Sequence, residues 1–498
     1  MSGTSSVSIE AISAFFVYWI VVEYLKRSGK LKKWNISAFG PILLVRTTRG
    51  LRLLERISKP KRFWRLVATL GIPSVFVGMA FMLFLILTMD YVMLTNPPKP
   101  SAITNPRNAL LIPGINQFIP LIWGLIGLTV TIIVHEFSHA VLCRVEGVRV
   151  KSMGLVLALI PIGGFAEPDE RELMDERKVG RAQRIRIFSA GVISNFIVAT
   201  LAFAVFFSLL GYLQPHVVVV QSHVPGIKNG SVIYEINGVK VYNEDDVARV
   251  LKGGDSVRLK VDDSVVVLKK VAGVYIVGTI EGYPAEKAGI KGGDVIVAVN
   301  GTPTPNLKTF MKVMETTVPN ETVVVTVYNG SSFRNVTMTL KGRNGHGFMG
   351  VRIGGDYLSG LVLGYSEIVL KEIRSIPSKL TDPKGWIFVI AMPFIFQGFS
   401  ENMFKYFSPT GFWKDYGNVL FYLLNTFYWI GWIDFYVGLF NCLPAVPLDG
   451  GRVFQEVLAS VFRGERGRAL SALIVKILAF VVFFSIVMSI LIPNVRVI

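Results

Sequence analysis

Residues 118–145 read FIPLIWGLIGLTVTIIVHEFSHAVLCRV, an apolar run that carries His135, Glu136 and His139 toward its end. A helix crosses the ~30 Å hydrocarbon core of a bilayer in about 20 residues, so this run is long enough to span it. Ionisable side chains inside a span are costly and functional by default. Four residues turn a helix by about 400°, which brings His135 and His139 onto nearly one face, where they can share a metal ion. Two imidazoles at this spacing suit zinc, and Glu136 beside them can take a proton from an attacking water. The plainer reading is a pair of helix-packing histidines. It leaves three polar groups in five residues of a span without a partner.

The rest of the chain has the same character. Of 498 residues, 51% are hydrophobic and 17% charged. Further apolar runs of spanning length lie at residues 9–25, 72–94, 185–213, 419–443 and 469–492. The first carries Glu10 and Glu23, has no basic start and lacks a small-residue cleavage site, so it is expected to be a retained span. The net charge of +18 is concentrated: between Lys26 and Arg65 stand thirteen Lys/Arg and the single acid Glu55. A basic stretch between two spans is explained by the positive-inside rule rather than by nucleic-acid binding, and it can also meet anionic lipid. Only two cysteines, Cys143 and Cys442, are present, so no disulfide framework is expected.

Placing residues 26–65 in the cytoplasm orients everything else. Residues 96–117, with Pro97, Pro98, Pro100 and Pro106, become an outer loop, and the HEFSH span runs inward. The following loop, with Arg171, Arg177, Lys178, Arg181, Arg184 and Arg186, is again cytoplasmic. The apolar stretch 386–399 is too short to cross and is expected to be a membrane-surface or re-entrant helix. Crossing there would put the basic loop 463–468 outside. Six spans with both termini outside result.

Residues 214–345 are instead β-rich, with short Val/Ile/Thr runs punctuated by Gly, Asn and Asp. PGIKNGSVIYEINGVKV (225–241) aligns with EKAGIKGGDVIVAVNGTPT (286–304), each a strand–Asn-Gly–strand hairpin followed by a helical pattern. The combination resembles tandem PDZ domains; an unrelated β-rich domain is the alternative. Asn-x-Ser/Thr sites at Asn229, Asn300, Asn320, Asn329 and Asn335 suit an outer location. The expected fold is a polytopic α-helical membrane protein with about six transmembrane helices and an α/β PDZ-like extracytoplasmic insert. Its expected divisions are 1–117, 118–213, 214–345, a linker 346–417, and 418–498.

Catalytic zinc keeps three protein ligands and one open position. The other histidines, His216, His223 and His346, fall in the β-rich region. The candidate third ligand is Asp449 in NCLPAVPLDGGR (441–452), where Pro444 and Pro447 break the helix. Spacing alone leaves this aspartate equally well read as a helix cap before Gly-Gly.

HEFSH in a span, a later Leu448-Asp449-Gly450-Gly451 and a PDZ-like insert together resemble the site-2 protease family of intramembrane zinc metalloproteases, peptidase family M50. The resemblance implies that Asp449 completes a one-zinc site with His135 and His139, and that Glu136 is the general base. Asn441-Cys442-Leu443-Pro444 matches the family's Asn-x-x-Pro and implies that Asn441 binds substrate backbone. Gly191-Val192-Ile193-Ser194-Asn195 matches its Gly-x-x-x-Asn, so Asn195 is either a donor to substrate or oxyanion, or a helix-packing amide. Pro161-Ile162-Gly163-Gly164-Phe165 resembles the family's re-entrant β segment, whose edge at Gly163 and Gly164 would take an extended substrate by strand addition. Cys143, one turn beyond His139, is read as packing, since a fourth ligand would close the open position. Glu10, Glu23 and Asp90 lie near span ends and receive no role.

The implied function is intramembrane hydrolysis of transmembrane protein substrates, as the second cut of regulated intramembrane proteolysis. The expected partners are those substrates and the bilayer, without nucleic acid; the oligomeric state is not readable. The competing functions are a metal transporter, which needs ligands along a path through several spans, and an inactive PDZ scaffold, which predicts a lost ligand or base.

Overall fold

The computed structural model describes residues 4–47, 51–102, 104–108, 112–158, 160–251, 253–462 and 464–495. Arg463, part of the expected basic loop, lies outside them. The chain divides into two units: Met1–Ser208 with Ile390–Gly398 and Tyr422–Ile498, and Leu209–Val389 with Phe399–Phe421.

The first unit is helical. Its main helices are α1 (Thr4–Arg27), α2 (Lys61–Thr95), α3 (Leu121–Val145), α4 (Arg181–Leu210), α5 (Val419–Asn441), α6 (Asp449–Val461) and α7 (Gly464–Val495). Four are long and apolar enough to cross a membrane: Lys61–Thr95, Leu121–Val145, Arg181–Leu210 and Gly464–Asn494. The two other expected spans also fold as single helices, of 24 and 23 residues. Each carries polar residues along its length. α1 holds Glu10, Glu23, Lys26 and Arg27, while α5 mixes Asn425, Thr426 and Asp434 with its aromatics.

Small residues set how closely these helices approach. A Cβ on Gly127 of α3 would stand 2.8 Å from the Trp429 carbonyl oxygen of α5, and one on Gly78 of α2 would meet Cys442 Sγ at 2.5 Å. The stretch expected as a surface or re-entrant helix is helical over Pro383–Ile395. From residue 390 onward it packs along α5: the carbonyls of Ile390, Phe396 and Gln397 accept hydrogen bonds from Tyr436 Oη (2.5 Å), Tyr428 Oη (2.5 Å) and Trp429 Nε1 (3.1 Å). Past the helix end, Tyr428 and Trp429 thus satisfy the Phe396 and Gln397 carbonyls, which have no helical partner.

The basic segment is more than a charged loop. It folds into a hairpin, β1 (Ile36–Phe39) and β2 (Ile42–Thr47), which joins β3 (Val150–Ala158) and β4 (Ile160–Pro168) in an antiparallel sheet of order β1-β2-β3-β4. Pairing of β2 with β3 along Leu43–Leu157 to Thr47–Met153 puts the chain after α1 and the chain after α3 on one side of the helices. Ion pairs extend that side to α6 and α7: Arg184 Nε to Glu456 (2.8 Å) and Arg468 Nη2 to Glu176 (2.8 Å).

Glu146, which caps α3, anchors the same layer. Its side chain is fully buried and meets Arg186 Nε at 2.7 Å, Arg65 Nη2 at 3.3 Å and Gln183 Nε2 at 2.9 Å. Burial pushes its carboxyl up; hydrogen bonds from Arg186 and Gln183 and the charges of Arg186 and Arg65 outweigh this and hold it below the usual carboxylate range. A carboxyl held down in the folded state contributes stability above its unfolded pKa of about 4.3, and that contribution is lost as pH falls through the folded value. Breaking a buried pair from one side costs about 3–5 kcal/mol. Glu146→Ala is therefore expected to lower the thermal midpoint in detergent, with the gap to wild type closing at acidic pH.

The second unit carries a continuous sheet built from two similar halves. In each, a strand (Val232–Ile236 or Val295–Val299) enters an Asn-Gly turn with both residues at positive φ: 52° and 79° at Asn237-Gly238, 48° and 76° at Asn300-Gly301. That is the type I′ geometry Asn-Gly favours. A helix follows in each, capped by an asparagine whose side chain accepts the backbone N–H three residues on: Asn243 from Asp246, and Asn306 from Thr309. The repeat read in the sequence is thus a repeat in structure.

The expected boundary at 345 falls inside this sheet. The strands Val351–Leu358 and Leu361–Tyr365 pair with Ala272–Thr279 and Val217–Ser222 and join the halves. Leu358, Leu361 and Leu363 complete the first core, while Val351 and Ile353 pack on the second. The sheet region therefore runs to Tyr365. The first strand of its last hairpin, VRIGGDYL, hides its strand character behind two glycines.

Candidate metal centre

α3 and α6 supply the site. His135 and His139 project from the same face of α3, one turn apart, with ring centroids 4.9 Å apart. Asp449 opens α6. The turn that delivers it is tight: a Cβ on Gly450 would lie 2.7 Å from the Leu443 carbonyl oxygen, and one on Gly451 would lie 2.6 Å from Val446 N. The two glycines let the start of α6 lie directly on the chain that leaves α5. Asp449 is thereby a partner of α3 as well as the first residue of its own helix.

The three side chains converge. His139 Nε2 and His135 Nε2 stand 3.0 and 3.2 Å from Asp449 Oδ2, and 3.3 Å from one another. Two ligands held 2.0–2.1 Å from a tetrahedral zinc ion stand about 3.3 Å apart, so this donor set fits that ion. Among the described residues, these three are the cluster of His, Cys, Asp or Glu with metal-binding spacing. Cys143 is not in it. It is 1% exposed and packs with Ala140, Val141, Ile187 and Phe188 in the apolar layer behind the site.

Behind the imidazoles lies α4. His139 Nδ1 is 2.8 Å from the Ile187 carbonyl oxygen, and His135 Nδ1 is 3.2 Å from the Asn195 amide. A Cβ on Gly191 would stand 2.5 Å from His139 Nε2 and 2.6 Å from His135 Nε2. The Gly-x-x-x-Asn segment thus lies against both rings.

Glu136 points to the sheet. Its Oε2 accepts the Ala166 N–H of β4 at 3.0 Å. β4 is the edge strand, and Gly164 lets it lie on α3: a Cβ there would be 2.6 Å from Ile132 Cγ2 and 2.7 Å from Glu136 Cγ. Gly163 faces Val156 of β3. A cavity of about 830 Å³ opens next to Ala166, lined by Phe165, Glu167, Phe188, Val446, Pro447 and Arg452 among others. Asn441 stays on its own helix, its Nδ2 donating to the Val437 carbonyl at 3.0 Å.

Two partners in this geometry are backbone groups, the Ile187 carbonyl and the Ala166 N–H, which carry no residue-type signal. The spacing of Ile187, Gly191 and Asn195 by four is the one sequence feature from which the α4 contacts follow.

A convergent His-His-Asp cluster beside a glutamate, with both histidines on a helix long and apolar enough to cross a membrane, suits a metallopeptidase. The model of peptidase family M50 matches residues 123–488, which include every residue of the cluster. The chain belongs to peptidase family M50. It is thus a member of the site-2 protease family and an integral membrane protein. Relatives of this M50 chain include an uncharacterized protein of Methanocaldococcus jannaschii, 30% identical over 47% of this chain and 62% of that one. A Clostridium perfringens protein named as a presumed zinc metalloprotease is 23% identical over 69% of this chain and 89% of its own length. Protease RseP of Yersinia pestis is 27% identical over 38% and 57%. The chain therefore spans less than two thirds of the length of two of these three.

Proposed function

We propose that this M50 protein is an intramembrane zinc metalloendopeptidase. It hydrolyses peptide bonds in or near transmembrane segments, as the second cut of regulated intramembrane proteolysis. The observation that carries this reading is the meeting of His135 Nε2, His139 Nε2 and Asp449 Oδ2 within 3.3 Å of one another, one residue from Glu136. His135, His139 and Asp449 hold one zinc ion per chain, which when bound supplies a Lewis acid that acidifies water and polarises a carbonyl. Glu136 is the general base: it takes a proton from the attacking water and returns it to the departing amine as the peptide bond breaks. The Ala166 N–H keeps its carboxylate at the sheet edge.

A helical substrate has its carbonyls tied up in its own hydrogen bonds, so the scissile stretch must unwind. Unwound, it can pair with the outer edge of β4 at Gly163 and Gly164, next to Glu136. Asn441 serves substrate backbone farther along. In the bilayer, α1 to α5 and α7 are the six spans, with residues 26–65 cytoplasmic, the β-rich insert outside and both termini outside. The β2–β3 pairing and the Arg184–Glu456 and Arg468–Glu176 pairs support a common side for the loops after α1, α3 and α5. The two β-rich halves are tandem PDZ-like modules that select substrates by a free carboxyl terminus or by size. Ligands that meet at one point between α3 and α6 favour a hydrolase over a transporter, whose sites would line a path.

Chelation of the purified protein is expected to stop cleavage of a transmembrane reporter, and one equivalent of zinc to restore it. Cleavage that persists with zinc below detection would overturn the reading.

A further inference from the structure

Ile187, Gly191 and Asn195 are spaced by four on α4 and so form one stripe along that helix. Each meets the imidazole pair. The Ile187 carbonyl is 2.8 Å from His139 Nδ1. A carbonyl oxygen only accepts, so Nδ1 carries a proton, and in the neutral ring Nε2 keeps its lone pair. Nε2 is the His139 atom that faces Asp449. At Gly191, the missing side chain lets the helix run against both rings. Asn195 is fully buried, and its Nδ2 stands 3.2 Å from His135 Nδ1.

The His135 ring poses a choice that the geometry alone resolves only through its far nitrogen. Nε2 is the atom that faces His139 and Asp449, so a metal there requires Nε2 unprotonated and Nδ1 protonated. The two ends of an asparagine amide are nearly the same shape, and only Oδ1 can accept from an N–H. The amide turns Nδ2 toward His135 and leaves Oδ1 buried with no hydrogen-bond partner; turned over, it places Oδ1 where Nδ2 stands. A Cβ on Gly438 would lie 3.4 Å from Asn195 Cβ, so α5 closes on the asparagine from behind. We propose that Asn195 is a positioning residue of the metal centre. Its Oδ1 accepts the Nδ1–H of His135, and with the Ile187 carbonyl it locks both imidazoles in the tautomer that presents Nε2. Outer partners of this kind fix ring orientation and ligand basicity in metal sites. The inference rests on reading His135, His139 and Asp449 as a zinc site. It gives Asn195 a task distinct from holding substrate or an oxyanion.

The test is zinc affinity of the purified protein, by competition with a chromophoric chelator, together with the visible spectrum of the cobalt-substituted form. Asn195→Leu, which keeps the bulk and loses the acceptor, is expected to weaken zinc binding about 10–100-fold and to change the cobalt spectrum. Asn195→Asp, which still accepts, is expected to bind zinc at least as tightly as wild type. Unchanged zinc affinity in Asn195→Leu with slower cleavage would assign the residue to substrate and overturn the proposal. Equal loss of affinity in both variants would reduce Asn195 to packing and also overturn it. Wild-type protein that binds no zinc would instead sink the zinc-site reading, and this inference with it.

Discussion

Asp449→Ala is expected to abolish zinc retention and peptide cleavage together. Its Oδ2 is the atom common to both imidazole contacts, 3.2 Å from His135 Nε2 and 3.0 Å from His139 Nε2. Without it, two protein ligands remain where catalytic zinc keeps three. Even outer partners cost up to about 100-fold in affinity, so loss of a direct ligand is expected to exceed that. Alanine is well tolerated in a first helical turn, so α6 should form, and circular dichroism should match wild type. Cys143→Ala serves as the contrast. Cys143 lies one turn past His139 but inside the apolar layer, so zinc content is expected to stay at one per chain. Zinc retained by Asp449→Ala, or lost by Cys143→Ala, would reassign the third ligand.

Glu136→Gln is expected to separate binding from chemistry. Glu136 is outside the ligand cluster, so zinc stays at one per chain. The glutamine can still accept the Ala166 N–H through its amide oxygen and hold the side chain against β4. What it cannot do is take a proton. General-base assistance contributes about 10²–10⁴-fold, so cleavage of a transmembrane reporter should fall by that factor while the substrate still binds. Capture of uncleaved substrates on this variant, read by mass spectrometry, would also reveal which proteins the enzyme acts on. Undiminished cleavage by Glu136→Gln would remove the glutamate from the mechanism.

The convergence of His135, His139 and Asp449 was legible only in part. The histidine pair followed from its one-turn spacing, whereas Asp449 was equally well a helix cap until the resemblance of Leu448-Asp449-Gly450-Gly451 to the family motif was added. The reason for those glycines became visible only in three dimensions: Gly450 and Gly451 lie against the backbone of residues 442–446, where any Cβ would collide. Backbone partners were illegible in principle. The Ile187 carbonyl and the Ala166 N–H have the same chemistry at any residue.

The fold divided along similar lines. The six apolar runs all became helices. Asn237-Gly238 and Asn300-Gly301 announced two hairpins correctly. The β1–β2 hairpin escaped notice because its charge pattern has its own sufficient explanation in the positive-inside rule, while its partner strand β3 lies more than a hundred residues away. Long-range pairing of this sort leaves no local mark. The extension of the sheet past 345 was illegible for a related reason. The strands Val351–Leu358 and Leu361–Tyr365 belong to both halves of the sheet, so no break in composition separates them from what precedes.

The central claim is a single zinc ion shared by α3 and α6. X-ray absorption at the zinc edge of the purified, unsubstituted protein tests it directly. One zinc per chain is predicted, with two imidazole nitrogens and carboxylate or water oxygens at about 2.0–2.2 Å and no sulfur. A sulfur shell near 2.3 Å, or protein that carries no zinc while it still cleaves, would contradict it.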